Sequence, residues 1–399
     1  MAALVGSSLS AQTTLTPESA VQIALEQHAF LTAAESRISA AEGLRVQAGL
    51  KPNPRLFLQS ENTRFGGSPP FRFADETDNF AYAAQVIESG GKRERRVEFA
   101  AENTRTREAE LTALRRQTAA RVLTAYWAAV GAQQLEASMV ESLGNLDRSV
   151  QYHRDRVQQG SLPEADLIRV KLEYQQVAIS VENVRQEARR SLLSLFREMG
   201  APERANVQLS GELAAVPELI IDDIDQAIER RPDVQLARQS IVQARAGVRL
   251  QSANAAPDPE VLFGYKRTAG LNTLVAGVQV NLPFRNRNQG AIAAAGAEES
   301  AANSTLRGVR VAARTEIIAA LEEYQQKQRV VRQMLPTLRS QALETSRIAQ
   351  AVYREGASDL LRLLDAERTR LQAEALYIRT LTEYRQSAVY LQTAVGLLP

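Results

Sequence analysis

The chain contains two copies of one unit, and this internal repeat constrains the fold more than any other feature of the sequence. The segment that begins at Val157 aligns without a gap with the segment that begins at Tyr353. In that alignment Gly160 falls on Gly356 and Leu167 falls on Leu363. The period is roughly 200 residues, much longer than the repeats of solenoid proteins. The repeat therefore predicts a duplicated half-molecule rather than an array of small units.

Each half has the same order of elements. A helical stretch, which in the first half is predicted from Thr16 to about Leu50, ends at a Pro-x-Pro break. The break is Pro52/Pro54 in the first half and Pro257/Pro259 in the second. Two short segments follow, then a very long helical stretch, the Gly turn and another long helix, which Asp359 can cap in the second half. We expect residues 15–199 to form the first structural repeat, 200–222 an irregular segment and 223–399 the second repeat.

The very long helical stretches cover residues 92–158 and 288–355, with Pro336 as a bend in the second. Helices of this length in one chain predict a coiled-coil body. After the first Gly turn, apolar residues recur at the 3-4 spacing that specifies a left-handed seam. They are Leu167, Val170, Tyr174, Val177, Val181 and Val184.

The short segments, about 54–65, 78–88, 259–268 and 271–284, have the alternation of β-strands and the length of tilted membrane strands. Four strands cannot close a barrel, and open sheet edges are not tolerated in lipid. Three chains would supply twelve strands, and two would give an eight-stranded barrel filled by its own side chains. The alternative interpretation is an ordinary half-buried sheet.

The first residues, 1–14, are small and apolar and have the character of the end of a secretory signal peptide. A frayed N-terminus is the alternative interpretation.

Composition excludes several classes of function. The 48 basic and 46 acidic residues nearly balance, so nothing in the bulk charge favours a nucleic-acid partner. The chain has no cysteine and only two histidines, which excludes thiolate metal sites. It carries no P-loop, dinucleotide fingerprint, zinc-protease motif or nucleophile elbow. The sequence therefore predicts no enzyme, no cofactor and no tight metal site.

Four motifs carry a resemblance to a known family. They are YREGASDLLRLLDAERTRLQAE, QGSLPEADLIRVKLEYQQVA, NLPFRNRNQGAIAAA and ESGGKRERRVEFAAE. Over residues 15–399 the chain resembles the TolC-like outer-membrane efflux channels. The last motif is most similar to the branch that serves heavy-metal (cobalt-zinc-cadmium type) resistance-nodulation-division (RND) pumps.

This resemblance implies a homotrimer with a twelve-stranded barrel in the outer-membrane lipid of a Gram-negative bacterium. It also implies a long helical tunnel in the periplasm, with residues 200–222 as an equatorial layer. The partners would be a periplasmic adaptor and a proton-driven inner-membrane RND pump. The fold class is then mainly α, with a long coiled-coil tunnel and four membrane strands per chain.

The resemblance also suggests sites. Acidic residues after the second turn form the closed entrance in the family. Asp365 falls on one such position, and Arg362 stands on the other as a departure from the pattern. An ion pair along the same helix is the simpler role for Asp365. The turns would be the tips that contact the adaptor, through Gly160, Ser161, Leu162, Gly356, Ala357 and Ser358.

Basic residues cluster at the junctions between strands and long helices. Cations at a helix N-terminus oppose the macrodipole, so another interaction should favour them. Anchoring at the membrane interface is one cause, and a positive collar in the barrel lumen is the alternative. The residues are Lys92, Arg93, Arg95, Arg96, Arg285 and Arg287.

The sequence thus predicts a passive, gated exit duct, opened at its periplasmic tip by an adaptor, with divalent heavy-metal cations as cargo. A duct for drugs or for type I protein secretion is the alternative within the same class. A soluble coiled-coil scaffold is the alternative from another class.

Overall fold

The structure is a computed structural model that describes residues 14–203 and 207–398. The predicted signal-peptide remnant therefore lies, apart from Thr14, outside the described residues. The chain forms two compact units. One comprises Met1–Ala33, Thr112–Pro232 and Arg310–Pro399, and the other comprises Ala34–Leu111 and Asp233–Val309. Each unit draws on both sequence repeats.

The first half contains β1 (Thr14–Leu15), α1 (Pro17–Gln27), α2 (Ala29–Ala48), β2 (Arg55–Glu61), α3 (Phe73–Glu76), β3 (Asp78–Val86), α4 (Lys92–Gln158) and α5 (Glu164–Met199). The remainder contains β4 (Gln208–Leu209), α6 (Ile224–Arg230), α7 (Pro232–Ala253), β5 (Pro259–Thr268), β6 (Leu271–Val280), α8 (Gln289–Arg329), α9 (Leu335–Arg354) and α10 (Leu360–Ala394). A π-helical segment, Val330–Met334, joins α8 to α9. This content confirms the predicted fold class for the single chain, mainly helical with a small sheet. In the described residues, no helix combines the length and apolar character needed to cross a membrane.

The N-terminal helical stretch is broken, although the sequence favoured one helix from Thr16 to about Leu50. Thr16 caps α1 by accepting a hydrogen bond from the backbone N–H of Ser19 at 3.1 Å. The helix ends at His28, whose backbone is extended (φ −69°, ψ 118°). The His28 side chain is buried, and its ring lies beside the Gly200 turn. Packing against that turn accompanies a break that local propensity does not reveal.

The coiled-coil seam of α5 is buried as the heptad spacing predicts. Leu167, Val170, Val177, Val181 and Val184 are buried, and Tyr174 is half-buried. The partner surface comes from α10, because Leu363 and Leu371 lie in the same clusters as these residues. The seam therefore joins the two sequence repeats to each other.

The long helix of the first half is continuous, but its counterpart in the second half is interrupted. α4 runs unbroken for 67 residues. The π-helical segment lies immediately before Leu335 and Pro336, the first two residues of α9. Pro336 lacks the N–H that would donate to the carbonyl one turn earlier, so regular α-helical bonding cannot continue through it. The interruption thus lies next to the proline at which the sequence predicts a bend.

The four-stranded sheet has the order β2-β3-β5-β6, antiparallel throughout. Its register divides the strand residues into two faces. One face is apolar and includes Leu56, Leu58, Phe263, Leu274 and Val278, each at least 60% exposed. Phe80 and Tyr82 lie on the opposite face, with Tyr82 stacked on Phe57.

Three strands end earlier than the predicted segments, and β3 does so by two residues, at Val86. β2 ends at Glu61 because Asn62 takes a left-handed conformation (φ 60°) that a strand cannot continue. β6 ends at Val280, three residues before Pro283, which has no N–H to donate to a ladder.

A short part of the predicted irregular segment is paired. β4 forms a two-residue parallel ladder with β1. The buried hydroxyl of Tyr126 donates to the carbonyl of Leu15 at 2.6 Å and accepts from the N–H of Ser210 at 3.0 Å. One tyrosine of α4 therefore binds both chain segments at the C-terminal end of this ladder.

Candidate functional site

The two Gly turns have the same backbone geometry. At the end of α4, Ser161 N–H donates to the carbonyl of Arg156 and Gly160 N–H donates to that of Val157, both at 2.9 Å. At the end of α9, Ala357 and Gly356 make the equivalent bonds to Val352 and Tyr353, both at 3.0 Å. This is the Schellman arrangement, which requires a left-handed residue. Gly160 has φ +71° and Gly356 has φ +74°.

The turns present an exposed surface. Gly160, Ser161, Gly356 and Ala357 are exposed, and Leu162 and Ser358 are half-buried. A Cβ placed on either glycine would meet no atom within 4 Å. The described chain therefore leaves open space beside both glycines, which are among the six residues that the resemblance assigns to adaptor contact.

The helices that follow the turns begin differently. Asp359 caps α10, because its carboxylate accepts the N–H of Arg362 at 2.9 Å. Pro163 stands at the corresponding position before α5 and offers no side-chain cap. The sequence predicts the Asp359 cap, and the structure contains it.

Below the turns, α4 contacts α9 through an aromatic pair. His153 is 1% exposed, and its Nε2 lies 2.7 Å from the Tyr353 hydroxyl. Its Nδ1 lies 2.8 Å from the carbonyl of Ser149, which can only accept. In the neutral imidazole, Nδ1 therefore carries the proton and Tyr353 donates to Nε2. Burial raises the pKa of the Tyr353 hydroxyl. The sequence did not assign a role to His153, because its partner lies 200 residues away.

A largely buried carboxylate ties α9 to α10. Ser346 donates to Glu367 at 2.6 Å, Arg370 donates at 3.0 Å, and Gln350 also donates to it. Burial by itself raises the pKa of Glu367, but these hydrogen bonds outweigh it, so the pKa lies below its ordinary value. Sequence reasoning missed Glu367, although its i, i+3 spacing from Arg370 was a signal.

A second ion pair joins α5 to α10. Arg368 donates to the buried carboxylate of Glu173 at 2.5 Å.

A groove of about 770 Å³ opens between α4 and the hairpin of α9 and α10. Tyr152, Leu343 and Leu364 line it together with Arg148 and Arg354.

The two predicted gate residues are exposed on α10, three residues apart. Within the described residues, Asp365 and Arg362 form no ion pair with each other or with any other side chain within 4 Å. Glu173, which accepts a hydrogen bond from Arg368, raises the pKa of that guanidinium, and Asp365 adds a smaller electrostatic contribution. Both gate residues are thus available to groups outside the chain.

The residues of the predicted basic collar fall into two groups according to their contacts. Lys92 is 9% exposed and donates to Asp258 at 2.7 Å. Arg96 binds Glu88 and donates to the carbonyl of Ala48 at 3.0 Å. These two side chains hold the junction between β3 and α4 together, which explains cations at a helix N-terminus without any external partner.

The other basic residues are more accessible. Arg93 and Arg95 contact acids on their own helix, Glu94 and Glu98. Arg285 and Arg287 are exposed in the segment before α8. The collar role of these four residues, and of Lys92 and Arg96, stays a prediction. Across residues 14–203 and 207–398, no cluster of three or more His, Asp or Glu side chains is arranged to hold a metal ion.

Comparison with known families identifies the family of the chain. The family model described as outer membrane efflux protein matches residues 20–201 and again 224–397. The chain belongs to the outer membrane efflux protein family. It is therefore the outer-membrane channel component of an efflux system, and channels of this family are passive conduits rather than enzymes. They form trimers and work with an adaptor and an RND pump.

Individual relatives resemble the chain over nearly its whole length. The cobalt-zinc-cadmium resistance protein CzcC of Cupriavidus metallidurans is 26% identical over 388 residues, which cover 96% of this chain and 90% of CzcC. The solved structure of CusC has a TM-score of 0.79 at 16% identity, covering 95% of this chain and 92% of CusC. The open-state channel MtrE of Neisseria gonorrhoeae has a TM-score of 0.78 at 17% identity, with 96% and 89% covered. The two structural similarities concern the fold alone.

Proposed function

We propose that this protein is the exit duct of a tripartite system that exports divalent heavy-metal cations. The observation that carries the cargo assignment is the similarity to CzcC, a cobalt-zinc-cadmium resistance protein, along 96% of the chain. The duct is passive, and the energy comes from the partner pump. Cations cross it without tight ligation, consistent with a chain that has no cysteine.

The test is growth of a deletion strain on zinc, cobalt, cadmium, nickel and copper salts beside a panel of dyes and antibiotics. We expect sensitivity to metals alone, restored by the gene on a plasmid. Sensitivity to organic compounds alone would overturn the metal cargo and leave the channel assignment intact.

The conduit forms from three copies whose sheets join edge to edge. β2 and β6 are the two edges of the described sheet. Because four antiparallel strands alternate in direction, β6 of one copy meets β2 of the next in antiparallel orientation, and twelve strands close a barrel. The exposed apolar face that contains Leu56, Phe263 and Leu274 then contacts lipid.

The entrance is gated by Asp365 and Arg362. Both side chains are exposed just after the second turn and have no side-chain ion-pair partner within the described chain. In a trimer, three copies of each converge and lock by ion pairs between copies, and the adaptor opens the lock by binding the open state better. It contacts the exposed turns at Gly160, Ser161, Leu162, Gly356, Ala357 and Ser358.

The gate is tested by single-channel recording in planar bilayers. The variant with both Asp365→Ala and Arg362→Ala should conduct more than the wild type, because the lock is removed. Thr369→Ala, an exposed change further along α10, is the matched control. Unchanged conductance of the double variant would locate the gate elsewhere.

A further inference from the structure

Helix α5 carries a second apolar seam on the face opposite its buried one. Ile168, Leu172, Gln175 and Ile179 follow each other at the 4-3-4 spacing of a coiled coil. Ile168, Leu172 and Ile179 are 52%, 58% and 63% exposed. Large apolar side chains exposed at heptad spacing indicate a helix face that a partner covers. We call this set the α5 outer seam.

Helix α9 carries a matching exposed seam. Leu338, Gln341, Thr345 and Ile348 follow each other at 3-4-3 spacing. Leu338 is 41% exposed and Ile348 is 51% exposed, and Gln341 and Thr345 are also exposed. We call this set the α9 outer seam. Its helix contacts α10 through another face, from which Ser346 donates to Glu367.

The two seams correspond residue by residue when they are counted from the Gly turns. Ile168 lies eight residues after Gly160, and Ile348 lies eight residues before Gly356. Gln175 and Gln341 each lie fifteen residues from their turns. Leu172 likewise corresponds to Thr345 and Ile179 to Leu338, each within one residue. α5 leads away from its turn and α9 leads toward its own, so the correspondence describes an antiparallel pair with level turns.

Within one chain, the two Gly turns already lie at the same position along the paired hairpins. Leu167 and Leu363 lie seven residues after their respective glycines and belong to one buried cluster. The number of residues from the Gly turn therefore measures how far along its hairpin a residue lies.

We propose that the α5 outer seam of one copy packs antiparallel against the α9 outer seam of a second copy of this chain, with Gln175 facing Gln341. The proposal rests on the proposed trimer and adds which surfaces meet and in which register. Because the two seams are different surfaces, the contact is heterologous, and in the proposed trimer a rotation of one third of a turn between copies closes the ring.

Charge and polarity on the seams favour this partner. Lys171 lies eleven residues from its turn. Glu344, which also accepts hydrogen bonds from Arg347 on its own helix, lies twelve residues from its turn. In the antiparallel pair the two side chains flank the seam on the same side, where opposite charges attract. Gln175 facing Gln341 lets each amide donate to the other within an apolar seam, and such a polar pair specifies register. A shift by one heptad would place either Gln175 against Ile348 or Gln341 against Ile168, so that the two amides would no longer pair.

The test uses the full chain, which contains no native cysteine. Gln175→Cys and Gln341→Cys are combined in one chain, expressed in outer membranes and oxidised before non-reducing electrophoresis. We expect a covalent ladder that ends at three chains, because facing seam residues come within disulfide reach. Each single variant should give no ladder. The shifted pair, Gln175→Cys with Ile348→Cys, should cross-link at least tenfold less.

A cross-link that closes within one chain, or equal yields for the facing and shifted pairs, would overturn the proposal. Light scattering of the wild-type protein in detergent separates its failure from that of the proposed function. An oligomer without the facing cross-link rejects these seams and keeps the conduit. A monomer rejects the trimer as well.

Charge exchange gives an independent measurement. Lys171→Glu should reduce the cross-linking yield of the facing pair, and adding Glu344→Lys should restore it. A double variant that cross-links no better than Lys171→Glu alone would contradict the flanking ion pair and the register that it supports.

Discussion

The hairpin of α4 and α5 and the hairpin of α9 and α10 end in the same turn but differ in the side chains behind it. Their Schellman bonds agree within 0.1 Å. In the second hairpin, Ser346 and Glu367 form the centre of a polar network. The repeat-related residues of the first hairpin are Val150, which is buried, and Lys171, which is exposed. The helix that enters the second hairpin is also interrupted by a π-helical segment.

This difference indicates that the two hairpins share the backbone geometry of their turns more closely than the side-chain chemistry behind them. A Schellman turn needs one left-handed glycine and an apolar helix end, so it survives wide sequence change. The polar network, the Asp359 cap and the predicted gate all belong to the second hairpin. Four predictions test whether the two hairpins are equivalent at their turns and different in the side chains behind the turns.

The largest effect should come from the Glu367 carboxylate. Glu367→Ala removes the acceptor of three hydrogen bonds and leaves Arg370 without its partner, so we expect a loss of about 2–4 kcal/mol in the free energy of unfolding. Urea unfolding in detergent, followed by circular dichroism at one protein concentration, measures it. Thr369→Ala, on the exposed side of α10, should change stability by no more than about 0.5 kcal/mol. Equal losses would show that the network contributes nothing specific.

The turns should respond alike. Gly160→Ala and Gly356→Ala each force a side chain into a left-handed conformation and should each cost about 1–2 kcal/mol. The two costs should agree, because the new Cβ would meet no atom within 4 Å at either turn. Gly144→Ala, in the interior of α4 with the same open surroundings, should instead stabilise by about 0.5–1 kcal/mol. A cost at only one turn would break the geometric equivalence.

The caps should respond differently. Asp359→Ala removes the acceptor for the Arg362 N–H and should cost about 1 kcal/mol. Pro163→Ala removes no side-chain cap, so its cost should be smaller. Thermal unfolding midpoints of the two variants measure the difference. If Pro163→Ala lowers the midpoint as much as Asp359→Ala, the contrast between the helix starts is wrong.

The smallest effect should be a pH dependence confined to the second hairpin. The pKa of Glu367 is lower in the folded chain than its ordinary value of 4.5. Its contribution is therefore complete above the unfolded pKa and is lost as pH falls through the folded pKa. The difference between wild type and Glu367→Gln should shrink as pH falls below about 4.5. A difference that is constant over this window would contradict the role of the charged form.

Much of the architecture could be predicted from local sequence patterns. Heptad spacing identified the buried residues of α5, and the alternation of short segments located strands that the sheet contains. The residues at which helices and strands end were harder to predict. β2 stops at Asn62 because of a backbone conformation, and α1 stops at His28, where Gly200 packs. The contact between His28 and Gly200 joins residues far apart in the chain, which a window of sequence does not contain.

The candidate site shows the same division. The Gly turns and the Asp359 cap depend on a few adjacent residues, so their sequences identified them. Glu367, His153 and the Glu173–Arg368 pair depend on helices meeting across the repeat. Lys92 was assigned to the basic collar, which stays a prediction, and its ion pair with Asp258 joins residues 166 positions apart.

The sequence by itself determined the duplication, the long helices, the turns and the family, because each is written in residue types at short, regular spacings. Only the tertiary structure decided which charges are engaged and which are free. It paired Glu173, Glu367 and Lys92 within the chain and left Asp365, Arg362 and the two outer seams exposed. The physical reason is that a helix has several faces, and the sequence does not state which of them a distant helix will cover.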